Sequence, residues 1–385
     1  MFLRWISIAR LFFFAMAALL LASCSARSPQ AVEIRLERSE RHDFRIVPLA
    51  AGLEHPWGLA FLPDGRILVT EREGDLRIVG PDGLAPEPVG GVPDVYASGQ
   101  GGLLDVALHP DFAANGLIYL SYAGRGPGGA GTEVVRARFT ENSLKELEVI
   151  FRQRPKVSGG RHFGSRLAFA PDGTLFISMG DRGGYMREAQ SLASHIGTVV
   201  RLNDDGSVPE DNPFAGRGGA LPEIFSYGHR NVQGMALRPG TDTIWAHEHG
   251  PRGGDEVNIL RPGRNYGWPA ITYGIDYSGA IISDKTAAPG MEQPVVYWVP
   301  SIAPSGMDFY RGDEFPNWRG NLFVGALART HLRRLTLEGD RVVGEEKLLE
   351  GLEERIRAVK QGPDGLLYVL TDSPDGQLLR LEPVR

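Results

Sequence analysis

Short apolar stretches, each broken by a tight polar turn, recur along this chain at long and uneven intervals. The first copy is Leu59-Ala60-Phe61-Leu62-Pro63-Asp64-Gly65-Arg66-Ile67-Leu68-Val69, and it returns over residues 106–120 and 167–177. Looser copies occupy residues 235–246 and 307–325, the latter stretched by an insertion through Trp318, and a sixth spans 358–370. Each reads as a β-hairpin. Proline presets φ for the turn, aspartate can bond its own backbone and glycine accepts positive φ. The flanking residues are the aliphatic, aromatic and β-branched types that half-buried strands favour.

Pro63, Pro110, Pro171 and Pro239 are far enough apart for one four-stranded blade plus variable loops per copy. Six in-phase copies therefore predict an all-β chain folded as a six-bladed β-propeller of four-stranded antiparallel blades. A β-sandwich is the alternative, but it has no reason to keep one hairpin in phase six times. An early strand over 44–51 is expected to pair with the segment 375–383 and close the ring, removing exposed edges. The propeller is expected to be one unit over 43–385.

The content of 50 Gly and 27 Pro agrees with many strands and turns, and 42% hydrophobic residues suffice for a core. The net charge of −6 comes without a long basic run, which argues against nucleic acid as a partner.

Residues 1–23 read as a signal peptide. Arg4 and Arg10 precede an apolar run over 11–21 that is too short to span a bilayer comfortably. Leu21-Ala22-Ser23-Cys24 resembles a bacterial lipobox, with the chain's sole cysteine at the position that would be acylated. This predicts a periplasm-facing lipoprotein on a flexible tether, residues 24–42, and Ser25 points to the outer membrane in a Gram-negative cell. A plain secretory signal cleaved near Ala22 or Ala26 is the alternative.

Between the hairpins lie Gly-rich polar segments at 99–102, 159–164, 227–231, 248–256 and 355–357. Their common phase should bring them to one mouth of the central channel. His162 has the ordinary properties of a general base near neutral pH, or is a surface histidine. Arg355 and Arg357 alternate on a strand and so share a face. There they suit carboxylates through bidentate bonds, or form a solvated face. His247 and His249 raise a transition-metal reading that lacks a third ligand at convincing spacing. Asp255 and Glu256 either support that loop chemically or cap it.

Three stretches carry a family resemblance: Gly228-His229-Arg230-Asn231-Val232-Gln233-Gly234, His247-Glu248-His249-Gly250-Pro251-Arg252-Gly253-Gly254-Asp255-Glu256 and Asn265-Tyr266-Gly267-Trp268-Pro269. With them the chain resembles the soluble pyrroloquinoline quinone (PQQ)-dependent glucose/sorbosone dehydrogenases, in particular the bacterial aldose sugar dehydrogenases, from about His55 to Asp372. The resemblance implies PQQ and Ca²⁺ as cofactors, a sugar substrate and a respiratory electron acceptor.

It makes His162 the base that takes the anomeric hydroxyl proton. The carbonyls of Gly250 and Pro251 become Ca²⁺ ligands. Arg230 and Asn231 match residues at the quinone oxygens, which makes Arg230 the second catalytic candidate. Gln100, Ser301, Arg355 and Arg357 complete the expected cofactor contacts. Two departures stand out. Arg161 replaces an Asp before the base, so the base must be oriented from elsewhere, and Ala328 replaces a Lys that pairs with PQQ, leaving Arg329 next door. A second calcium is implied near Tyr273 and Asp276. The aromatics Tyr266, Trp268, Tyr273, Tyr277, Tyr297 and Trp298 form either a sugar-stacking rim or blade core. The competing functions are a calcium-dependent lactonase, which the carbonyl-type metal site and the arginine pair disfavour, and a non-catalytic binding propeller, which has no use for Arg355 with Arg357.

Overall fold

The recurring hairpins are the first two strands of six antiparallel sheets in the computed structural model, which describes residues 34–384. The expected signal peptide, Cys24 and the first part of the tether lie outside the described residues. The turns form for the reason their residues suggest. Asp64, Asp172 and Asp364 accept the backbone N–H two residues on, from Arg66 at 3.0 Å, Thr174 at 2.9 Å and Leu366 at 3.1 Å. Gly65, Gly173 and Gly365 take φ of 88°, 84° and 80°. The second copy lacks that glycine, and a helical turn, Phe112–Asn115, replaces it and ends at Gly116 with φ 65°.

Blade one comprises Pro56–Phe61, Ile67–Glu71, Leu76–Gly80 and Gly83–Leu84; blade two comprises Leu103–Leu108, Leu117–Gly126, Gly129–Thr140 and Ser143–Arg152. Blade three is Leu167–Phe169, Leu175–Ser178, Thr198–Leu202 and Ile224–Tyr227, and blade four is Val232–Leu237, Ile244–Glu248, Asp255–Ile259 and Val296–Trp298. Blade five is Pro304–Phe309, Leu322–Ala326, His331–Glu338 and Arg341–Leu348. Blade six is Ile356–Gln361, Leu367–Thr371 and Gly376–Pro383, completed by the early strand Phe44–Leu53. The first strands of successive blades pack against one another around the axis, that of blade six against that of blade one included.

Closure follows the expected pairing, with Phe44 opposite Pro383 and Leu53 opposite Gly376. The end of the expected tether departs from it. Arg35–Glu37 adds a fifth strand beside Phe44–Ile46 on the edge of blade six. Unpaired backbone groups on that edge attract it. Glu40 then accepts from the buried Arg334 at 3.1 Å, and the Glu40 amide donates to Glu346 at 2.6 Å. Residues 35–40 are therefore docked onto blades five and six.

The core lies between blades. At the closure Phe44, Tyr310, Phe315, Trp318 and Phe323 are fully buried together. Phe315 stacks on Trp318 at 4.3 Å between centroids, and Phe44 meets Trp318 edge-on at 5.6 Å. The insertion that stretches the fifth hairpin thus supplies the aromatic packing that holds the ring shut. Truncating this centre, Trp318→Ala, is expected to destabilise the fold by about 3–5 kcal/mol. A lowered denaturation midpoint in urea, followed by fluorescence, would show it.

Candidate active site

In an antiparallel blade the start of strand one, the end of strand two and the start of strand three share an edge. Every Gly-rich segment noted above attaches there. His162 stands on the loop before blade three with φ 53°, and its side chain is nearly buried. Its backbone N–H donates to Gln100 Oε1 at 2.7 Å. Its Nδ1 lies 2.6 Å from Asp181 Oδ1, and Asp181 Oδ2 accepts from Trp268 Nε1 at 2.9 Å. The Gly183 amide also donates to Asp181 at 2.8 Å. A carboxylate only accepts, so Nδ1 carries the proton and Nε2 keeps its lone pair.

Asp181 therefore supplies the orientation that Arg161 cannot. It was not anticipated, although it follows the second strand of blade three at the phase of the other polar loops. Gly180 lets this loop press against the base, since a Cβ there would collide with the His162 carbonyl. Arg182, also buried, donates to the carbonyls of Gly159 at 2.7 Å and of Arg161, pinning the loop that presents His162.

Burial lowers the pKa of His162, against the opposing pull of Asp181, and the charges of Arg230 and Arg161 lower it further. Burial pushes Asp181 upward, but the bond from His162 and the nearby Arg230 hold it below the usual carboxylate range. A neutral imidazole beside a fixed carboxylate is a general base ready at neutral pH.

Beside this pair a cavity of about 270 Å³ opens at the mouth. Trp57, Arg72, Gln100, Asn231, Arg355 and Arg357 all line it. The two strand-mates share a face as expected, and both hold Asp372 Oδ2, Arg355 Nη2 at 2.9 Å and Arg357 Nη2 at 2.8 Å. Burial opposes ionisation of Asp372, yet the two guanidiniums hold its carboxyl far below the usual range. Two cations against one anion leave positive charge, and Arg72 adds another. Arg357 is buried with its Nε unpartnered. Asn231 Oδ1 accepts the Gly164 amide at 3.1 Å, joining the 227–231 segment to the loop that carries His162.

Other candidates sit differently. Ser301 does not line the cavity, and its hydroxyl donates to Asp255 at 2.8 Å. Burial pushes Asp255 up to about 6, and the carboxyl also accepts the amides of Gly250, Ile302 and Ala303. Asp255 thus ties the Gly250-Pro251 loop to blade five. Arg230 Nη1 donates to the carbonyls of His249 at 3.0 Å and Gly250 at 2.9 Å. Ala328 lines the cavity while Arg329 is exposed outside it, so Arg72 is the additional cation there. Asp276 closes its own turn on Ser278, and Tyr273 stacks on Tyr297 at 3.8 Å. Among the described residues no cluster of three or more His, Cys, Asp or Glu side chains is arranged to hold a metal. Of the aromatics, Tyr266 and Trp298 are core, Trp268 holds Asp181 and Tyr277 lines the cavity.

The profile of the Glucose / Sorbosone dehydrogenase family matches residues 53–380. The chain belongs to this family. Aldose sugar dehydrogenase YliI of Escherichia coli is 49% identical over 337 residues, covering 86% of this chain and 91% of that protein. The crystal structure of the soluble aldose sugar dehydrogenase from Escherichia coli in the apo-form superposes with a TM-score of 0.86 at 47% identity, over 89% of this chain and 100% of that one. The PQQ-bound aldose sugar dehydrogenase from Streptomyces coelicolor gives 0.73 at 30% identity, over 91% and 98% of the two chains.

The His162–Asp181 geometry can be tested as a general base. Asp181→Asn would leave the imidazole free to turn or to adopt the wrong tautomer. It should lower kcat by roughly 10²–10⁴-fold. A base acts in its neutral form and the pKa of His162 is lowered, so if His162 serves as the base the acid limb of kcat/KM should lie below pH 6.5 in the parent protein. A pH profile centred higher would contradict that.

Proposed function

We propose that this protein is a quinoprotein aldose sugar dehydrogenase, oxidising the C1 hydroxyl of an aldose to the lactone with PQQ and Ca²⁺ as cofactors. The observation that carries the reading is a general base, His162 on Asp181, set beside a cavity with excess positive charge. The donor set fits a tricarboxylate: Arg355, Arg357 and Arg72 face the cavity, and a buried guanidinium N–H of Arg357 has no protein partner. Gly250 and Pro251 offer the carbonyl oxygens calcium accepts, with the Gly250 oxygen shared with Arg230. When bound, the quinone supplies a two-electron acceptor for the C1 hydride and the ion polarises it.

The chain's own residues do the rest. His162 Nε2 takes the C1 hydroxyl proton as the hydride leaves C1. Asp181 fixes the ring and stabilises the imidazolium that results. Arg230, buried at the Gly250 carbonyl, keeps positive charge next to the developing negative charge. Arg355 and Arg357 anchor carboxylates, pre-aimed by Asp372.

Reconstitution of the purified protein with PQQ and Ca²⁺, followed by aldose-dependent reduction of an electron-acceptor dye, tests the reading. Absence of turnover with every aldose, despite demonstrated PQQ binding, would sink it. His162→Gln should bind PQQ with near-parent affinity and lose almost all turnover; retained activity would remove His162 from the base role.

Export and lipid anchoring through Cys24 are the second part of the proposal, supported by the apolar run and the lipobox-like residues. The electrons then pass to a respiratory acceptor. Cys24→Ser should release the protein from the membrane fraction, and continued membrane association would count against the anchor.

A further inference from the structure

The cavity beside the base accounts for Arg72, Arg355 and Arg357, but Arg161 stands outside it, one residue before His162 and exposed. Its backbone is not free to wander, because Arg182 Nη1 holds its carbonyl. A Cβ built on Gly183 would lie 3.3 Å from Arg161 Cβ and 3.8 Å from His162 Nδ1, which puts the root of this side chain beside the imidazole. Among the described residues the Arg161 guanidinium has no hydrogen-bond or ion-pair partner.

The carboxylates at this mouth are already engaged. Asp181 is held by His162, Trp268 and Gly183, and Asp372 by both arginines and by His55 at 3.2 Å. Beneath Arg161, Arg182 contributes a second positive charge without a carboxylate, its guanidinium stacked on Phe163 at 3.4 Å. Arg125 is exposed on the same side, over the half-buried ring of Tyr96 at 4.5 Å. Unneutralised cations next to a catalytic base raise the local concentration of anionic substrates and orient them. An arginine also meets a carboxylate bidentately, which fixes a pose as well as adding affinity.

We infer that the preferred substrates are aldoses bearing a carboxylate, the hexuronic acids, with Arg161 recognising the acid while C1 faces His162. This rests on the dehydrogenase reading above. In a hexuronate the carboxylate stands on C5, separated from C1 only by the ring oxygen, so the acid falls within reach of an arginine rooted beside the base.

The reconstituted holoenzyme should be assayed with glucuronate and galacturonate against glucose and galactose, and with glucose 6-phosphate, at a pH well above the acid limb. The uronates are expected to exceed their neutral counterparts in kcat/KM by about tenfold or more. Added salt should erode that advantage. Arg161→Gln should collapse the uronate-to-neutral ratio by about the same factor, mainly through KM, and Arg161→Lys should restore part of it. A parent enzyme that favours neutral aldoses, a ratio unmoved by Arg161→Gln, or a preference for the phosphate over the uronates would each overturn the assignment. Calorimetric titration of glucuronate into His162→Gln protein, with and without Arg161→Gln, reads recognition without turnover. Binding that depends on Arg161 supports the inference, and its absence refutes it. Failure of all sugars to turn over while this binding persists would instead indict the dehydrogenase reading.

Discussion

The site exists because antiparallel pairing puts the start of a blade's first strand and the end of its second at one edge. Each hairpin must therefore return the chain to the same mouth, whatever its loops contain. His162 and Arg230 precede first strands; Asp181, His249 and Asp372 follow second strands. Residues separated by well over a hundred positions become neighbours without any direct link. Arg357 lies 3.4 Å from Gln233, 124 positions away. The blades are the frame, and the chemistry is held on the short segments between them.

Within that frame, charge is arranged in two tiers. Arg166 and Arg357 are buried and each is met by a carboxylate, Asp105 at 3.1 Å and Asp372 at 2.8 Å. Both approach the ring of Trp57, at 3.9 Å and 6.0 Å. Burying these groups is tolerable only because each charge is paired and bonded. Towards the mouth the pairing becomes incomplete, and positive charge remains for ligands. Asp372 sets the balance, because it satisfies two guanidiniums at once and leaves donors on both.

The propeller was legible because its turns carry their own chemistry: Pro, Asp and Gly act within four residues, and their recurrence is a property of the chain alone. The closing strand was legible for a similar reason, as an alternating segment left over at each end. Residues 35–40 were not, since docking on an edge strand depends on what the edge leaves unpaired and on Arg334. The role of Asp181 was hidden because it is defined by a partner 19 residues away, across a loop whose course no local signal sets. For Ser301 the hidden element is a buried carboxylate nearby, Asp255, which takes its hydroxyl. Arg161 was visible as an oddity, and only the geometry around it gave the oddity a use.

The pairing of Phe44–Leu53 with Gly376–Pro383 also governs timing. Arg45 bonds Glu382, 337 positions later, so the sheet that holds the early strand is completed only by residues 376–383. Without them the early strand has no partner on that side, and blade six lacks the sheet that joins it to the start of the ring. Such distant pairings form late and leave edges exposed meanwhile. The ring therefore behaves as a single closure, in which two segments at opposite ends of the propeller must meet before either edge is covered.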